Sequence, residues 1–388
     1  MIQTILILGG YGNAGRLIAD LLLKETKETR IITSGRNLSL AQEQADKLNE
    51  IYGGQRVEAR QVDASSSEIL KSAFRDIDLV VVASSTTEFA DQVVEAALDA
   101  HIDYIDIQLG ESVKMEALDS AKELIDSSGR CFVTDGGCLP GLPAAIVRYA
   151  ALQCENLQTA NLYCVIQPNW KDATYSQGTW EEFYRQMVDM APEAMKVYAK
   201  GKWEKQSWWT YHKFDFGETF GTRYCMPMFI GEMRELPTMI PTLDEVGQYI
   251  AGSDPVTDCC VFPLGLTASC VCPKLATKPM SKLLHWSMNT FSSPPYGCVM
   301  VLDAQGMTKG QENTGQNVNI HISVTHEDEY LLTTVPVVAC LLQILDDSVR
   351  KPGLHYQAHI VEPKRFFADM KRMGLDIDVS VQKAVDTK

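Results

Sequence analysis

The sequence has no C-x-x-C pair, no apolar run near the roughly 18 residues that span a bilayer, and no excess of positive charge. Its eleven cysteines are an odd number scattered from Cys131 to Cys340. The adjacent Cys259 and Cys260 and the C-x-C at 270–272 lack the spacing of a structural zinc site, so no metal is expected, and most thiols should be buried small hydrophobes. The longest apolar stretches, "LVVVA" and "VPVVACLLQIL", are too short for a membrane span. A net charge of −15 argues against nucleic acid or an acidic membrane surface as partner. Neither a G-x-S-x-G nucleophile elbow nor H-E-x-x-H occurs, which sets aside the hydrolase and metalloprotease classes those motifs mark. No charged segment precedes the apolar start, so no signal peptide is expected and the expected location is cytoplasmic.

What is present is a chain of 388 residues, 45% hydrophobic, long enough for two domains. It opens with "ILILGGYGNAGRLIADLLL". Ile5 to Leu8 form the continuous apolar run of a parallel strand buried on both faces, while Leu17, Ile18, Leu21 and Leu22 recur at helical spacing. Gly10, Gly12 and Gly15 therefore stand as G-x-G-x-x-G between a strand and a helix, the context of a dinucleotide fingerprint. Gly10 permits the tight turn, Gly12 lets the backbone approach a pyrophosphate, and Gly15 lets the helix lie close on the strand. Tyr11, Asn13 and Ala14 belong to the same phosphate-facing turn, where the helix N-terminus attracts negative charge.

The second strand, "RIITSGRN", ends in Ser34, Gly35 and Arg36 and carries no acid to hold a ribose 2′-hydroxyl. Arg36 can instead pair with a 2′-phosphate through its guanidinium fork, which predicts NADP(H) over NAD(H). Further strands at 56–64, 78–86, 101–108 and 131–137 alternate with helical patterns at 38–51, 66–74, 88–99 and 112–127. The first 150 residues thus read as a doubly wound parallel α/β sheet with ligands at its carboxyl edge. Asp63 is placed there to hold an adenine amine, and Ser84, Ser85 and Thr86 to pass over the nicotinamide ribose. Asp106 and Asp135 also fall at strand ends.

From about residue 154 alternating patterns at 157–167, 211–217, 296–306, 317–326 and 354–362 predict antiparallel strands. Helices are expected at about 179–199, 277–290, 335–347 and 364–373. Residues 151–388 thus form an α+β second domain for substrate binding and dimerisation, whose C-terminal helices are free to pack back on the first. The aperiodic, Pro-, Cys- and Gly-rich stretch 251–275 reads as a covering loop. In "YSQGTWEEF", Ser176 and Gly178 precede Thr179, and Thr179-x-x-Glu182 has the form of a capping box suited to a substrate carboxylate.

At "HIDYIDI" and "VTDGGCLPGLPAAIVRYA", with Asp106, Asp135, Gly137, Pro140 and Gly141, the sequence resembles the saccharopine dehydrogenase-like family, which includes saccharopine reductases and lysine 6-dehydrogenases. "DFGETFGTRY", "EMRELP" and "GLHYQAHIVEPKRFFADMKRMGL" resemble its second domain and its ending. The resemblance implies a Rossmann domain, a nicotinamide-dependent oxidoreductase, and a second domain that makes a homodimer. One departure bears on substrate. Saccharopine reductases carry an acid just before this Pro-Gly, where Leu139 stands here, which counts against saccharopine itself.

The expected chemistry is hydride exchange with a C=N bond of a small amino-acid-like substrate. Asp135 and Asp106 are the candidate acids, and Tyr104 and Cys138 the second-rank donors. Trans-acting enoyl (C=C) reduction and NADPH sensing without turnover are the alternatives.

Overall fold

The computed structural model describes residues 3–171, 177–308 and 315–383. The chain divides into two compact units, Met1–Leu142 with Tyr330–Met373, and Pro143–Glu329 with Gly374–Lys388. The division falls at Leu142, not at residue 150, because the helix Pro143–Ala151 groups with the second unit.

The first unit is built on a seven-stranded sheet. Its strands are β1 (Thr4–Leu8), β2 (Arg30–Gly35), β3 (Val57–Gln61), β4 (Leu79–Val82), β5 (Asp103–Asp106), β6 (Cys131–Thr134) and a seventh at Gly353–Tyr356. All pair in parallel, the seventh strand beside β6 and the order continuing β5, β4, β1, β2, β3. Strand order reverses between β1 and β4, so a crevice opens beyond their carboxyl ends. From Ile5 onward β1 is apolar, as is all of β4, because both faces are covered: Leu6 and Val80 are fully buried, packing with Val93, Leu118 and Phe132. On the helix Asn13–Glu25, Ile18, Leu21 and Leu22 are buried, each burial stabilising by about 1.5–3 kcal/mol.

The stretch 354–362 is not an antiparallel strand of the second domain. Gly353–Tyr356 pairs in parallel with β6 of the first sheet, and Gln357–Ile360 turns helical. The helix Pro363–Arg372, and Glu329–Leu345 from Tyr330 onward, belong to the first unit as well.

The second unit holds a nine-stranded mixed sheet. Its centre is Asn156–Gln167, antiparallel to Gly297–Met307 and parallel to Glu245–Ala251. Strands Thr222–Pro227, Glu245–Ala251 and Asp376–Lys383 join those expected from alternation. The helix expected at 179–199 spans Gln177–Met190, and Lys196–Ala199 is a strand. Residues 257–291 are helical rather than a covering loop: a short π-turn at Thr257–Val261 leads into Phe262–Val271 and then Pro273–Phe291. Trp180, Tyr184, Leu284 and Met288 form their common core, and the Tyr184 hydroxyl donates to the Gly265 carbonyl at 2.7 Å.

Candidate functional site

The turn after β1 is shaped by four glycines. Gly9 is the left-handed residue (φ +89°), and a Cβ there would stand 2.5 Å from the Ala83 carbonyl oxygen. A Cβ on Gly15 would stand 2.2 Å from the Gly9 oxygen, so only glycine lets the helix meet the turn. Gly10 does not supply the left-handed conformation; it is fixed by crowding against Thr33. Gly9 and Gly10 N–H both donate to the Ser34 carbonyl at 2.9 Å, tying the turn to β2. Gly12 is the N-cap of the helix, with no side-chain cap among the described residues, and no acid lies in the first turn. That end is left to an anion. Asn13 Nδ2 donates to the Tyr330 hydroxyl at 2.7 Å, which brings the start of the returning segment to the turn.

At the end of β2 the three expected residues part ways. Ser34 is buried and its hydroxyl donates to the Ile7 carbonyl at 2.9 Å, so that side chain faces the sheet. Gly35 lies under the Tyr11 ring, which fills the space a Cβ would take, and the Tyr11 hydroxyl accepts from Asn37 N–H at 3.1 Å. Arg36 is exposed and its guanidinium makes no hydrogen bond or salt bridge among the described residues. The Gln61 amide donates to its carbonyl at 2.9 Å, and the Asn37 side chain caps the following helix through Leu40 N–H. Asp63 accepts from the Ser65 backbone and hydroxyl. Those bonds, with a smaller contribution from Arg36, hold its carboxyl below the ordinary value.

The ends of β4, β5 and β6 are joined by a buried network. Ser84 Oγ and Thr86 Oγ1 lie 3.0 Å apart, and the Gln108 amide donates to the Ser84 carbonyl at 2.9 Å and to Thr86 Oγ1 at 3.1 Å; Ser85 is exposed. Lys114, fully buried, donates to the Gln108 carbonyl (2.9 Å), Asp106 Oδ1 (2.9 Å) and Asp135 Oδ1 (2.8 Å). Burial alone would pull its ammonium down, but the two carboxylates outweigh burial and hold Lys114 above its ordinary value. Burial pushes the Asp135 carboxyl up; Lys114 opposes this and Asp106 adds to it. Among the described residues Asp106 Oδ2 is buried with no hydrogen-bond partner in geometric range, and the Tyr104 phenol interacts with the same carboxyl group. With both carboxyl groups ionised, the two acids and one ammonium would leave a net charge of −1.

Of the second-rank donors, Tyr104 is core. It is 1% exposed and stacked on Phe132, and burial followed by the Asp106 charge raises its phenol well above the ordinary value. Cys138 is buried in the loop after β6, where the Gln357 amide holds the backbone through Gly137 and Gly141.

The uncapped helix end and the exposed Arg36 fork fit a dinucleotide phosphate and a 2′-phosphate. Residues 5–128 match the family model of the saccharopine dehydrogenase NADP-binding domain. Over those residues the nucleotide domain of this chain is of the saccharopine dehydrogenase NADP-binding type. Its cofactor is NADP(H). Among solved structures, the apo saccharopine dehydrogenase (L-Glu forming) of Saccharomyces cerevisiae is similar in fold at 14% identity and TM-score 0.66, over 97% of this chain and 100% of that one. The putative oxidoreductase yvaA of Bacillus subtilis covers 95% of each chain at 10% identity and TM-score 0.39. A short-chain dehydrogenase/reductase of Veillonella parvula with NADP covers 34% of this chain and 69% of its own at 15% identity and TM-score 0.27. No curated protein matches the sequence.

The saccharopine dehydrogenase-like domain therefore gathers Gly10 to Gly15, Arg36, Asp63, Ser84 to Thr86, Asp106 and Asp135 along one sheet edge. Ser176 lies outside the described residues. Gly178 and Thr179 are the second and third residues of the helix Gln177–Met190, so Thr179 is not its N-cap. The helix starts earlier, where the Gln177 amide donates to Glu181 and Ser281. Sequence reasoning missed Gly9, Gln108, Lys114, Tyr330 and Gln357. Lys114 had a signal: it stands four residues before Leu118, on the buried face of its helix.

Proposed function

We propose that the protein is an NADP(H)-dependent oxidoreductase acting on a C=N bond of an amine or imine, amino-acid-like in size. Bound NADP(H) supplies a hydride, or accepts one, at its nicotinamide ring. The observation that carries this reading is the Asp106–Lys114–Asp135 cluster on the same sheet edge as the glycine turn. Its net charge of −1 favours a cationic iminium or ammonium over a neutral enoyl group, in surroundings where charges are weakly screened. Asp135, pushed upward by burial, is suited to hold or hand on the proton at the substrate nitrogen. Lys114 keeps both carboxyl groups in place while compensating half their charge. The family resemblance makes a cytoplasmic homodimer the expected form, and light scattering that reports monomer alone would overturn the dimer.

The test is NADPH oxidation against a panel of imines and enoyl thioesters, with the Asp135→Asn variant beside the parent. Turnover on imines should fall about a hundredfold or more in the variant while NADPH affinity stays nearly unchanged. Equal turnover would remove Asp135 from the mechanism. A second reading, NADPH binding without turnover, draws on the fact that Lys114 already engages both candidate acids; tight NADPH binding with no oxidation on either panel would select it.

A further inference from the structure

The chain's net charge of −15 is unevenly distributed. No aspartate or glutamate occurs between Asp258 and Asp303, and this interval carries Lys274, Lys278 and Lys282. It holds the paired helices Phe262–Val271 and Pro273–Phe291, joined at Cys272. Large apolar side chains stand in solvent around that joint: Val271 is 75% exposed, Leu275 77% and Leu264 52%. The three lysines recur every fourth residue, which puts them on one stripe of the second helix with Trp286, itself 53% exposed, while Ala276, Leu284 and Met288 face inward. None of the three lysines has a salt bridge or a side-chain hydrogen bond among the described residues. An apolar tip rimmed by unpaired cations and an exposed tryptophan is a costly surface to leave in water.

We propose that this helical hairpin docks on an anionic lipid surface, with Val271 and Leu275 entering the headgroup boundary and the lysine stripe lying against the phosphates. No helix among the described residues is long and apolar enough to cross a membrane, so the contact is peripheral. Charge decides the occupant. A second copy docking through a two-fold axis would place the same three lysines opposite themselves, and like charges would oppose the contact. Anionic lipid complements them, each lysine strengthening binding about fivefold, and the lysine stems cover apolar surface while their heads reach phosphate. The whole-chain charge, which argued against such a surface, averages away a segment without acids.

The experiment is co-sedimentation of the full chain with vesicles of phosphatidylcholine alone and of phosphatidylcholine mixed with phosphatidylglycerol. Binding should require phosphatidylglycerol and weaken as salt is raised. It should fall more than tenfold in Val271→Glu/Leu275→Glu and in Lys274→Glu/Lys278→Glu/Lys282→Glu, with melting temperature and NADPH affinity unchanged. Binding that ignores lipid charge or salt in the parent protein overturns the proposal, and that arm needs no variant to fold. So do variants that bind like the parent, or light scattering in which Val271→Glu/Leu275→Glu splits a dimer into monomers, which would give the face to a second copy.

Discussion

The two ends of the cofactor edge handle polar groups in opposite ways. At the glycine turn, among the described residues, the helix start has no side-chain cap and the Arg36 guanidinium is exposed without a salt bridge. At the far end, beyond β5 and β6, Lys114 is fully buried and divides its bonds among two carboxylates and a carbonyl. The first end leaves groups that a ligand's charge would suit. The second carries its own charge, so its parts hold the fold as well as the chemistry. A substitution at the first end should therefore change binding, and one at the second should change stability first.

The strongest way to break that contrast is Lys114→Met. It leaves Asp106 and Asp135 buried without a counter-charge, a loss of about 3–5 kcal/mol, measured as a lowered denaturation midpoint. Adding Asp106→Asn to it should recover part of the loss, since one of the stranded charges is gone. A variant as stable as the parent would mean that the cluster is solvated and that its burial is not what fixes its charge. Next in size is Arg36→Ala, which should weaken NADPH about tenfold to a hundredfold and leave NADH affinity and melting temperature alone, as read by nucleotide titration. Equal losses for both nucleotides would place Arg36 away from the 2′-phosphate.

The first end was largely legible in the sequence. The run Ile5 to Leu8 reads as a strand because both its faces are covered, and the glycine spacing reads as a turn because a Cβ would collide there. The second end was half legible. Asp106 and Asp135 showed as acids at strand ends, but a lysine on a helix reads as solvent-facing, and its burial follows from carboxylates 8 and 21 residues away in the chain. The strand Gly353–Tyr356 was assigned to the wrong sheet for a similar reason: alternation marks a strand, while its partner, Cys131 to Thr134, is set by long-range pairing. The helix Phe262–Val271 hid because it is apolar on nearly every side and so has no period to read. Thr179 misled in the other direction, since a capping-box pattern also fits inside a helix that begins two residues sooner.

The smallest effect sharpens what the far end does. Because the folded protein raises the Asp135 carboxyl above its ordinary value of 3.8, the fold favours the protonated form more than the unfolded chain does. Its contribution to stability is then complete below that value and is lost as pH rises through the raised one. Denaturant midpoints of the parent and Asp135→Asn, compared from pH 3.8 upward to neutral, should show the parent's margin shrinking with pH. In a Lys114→Met background the shrinkage should extend to higher pH, because the ammonium that opposes the shift is gone. A margin that grows with pH instead would mean that Lys114 holds Asp135 ionised throughout. The cluster would then be a clamp on β5 and β6, and the proton for the substrate nitrogen would have to come from another group.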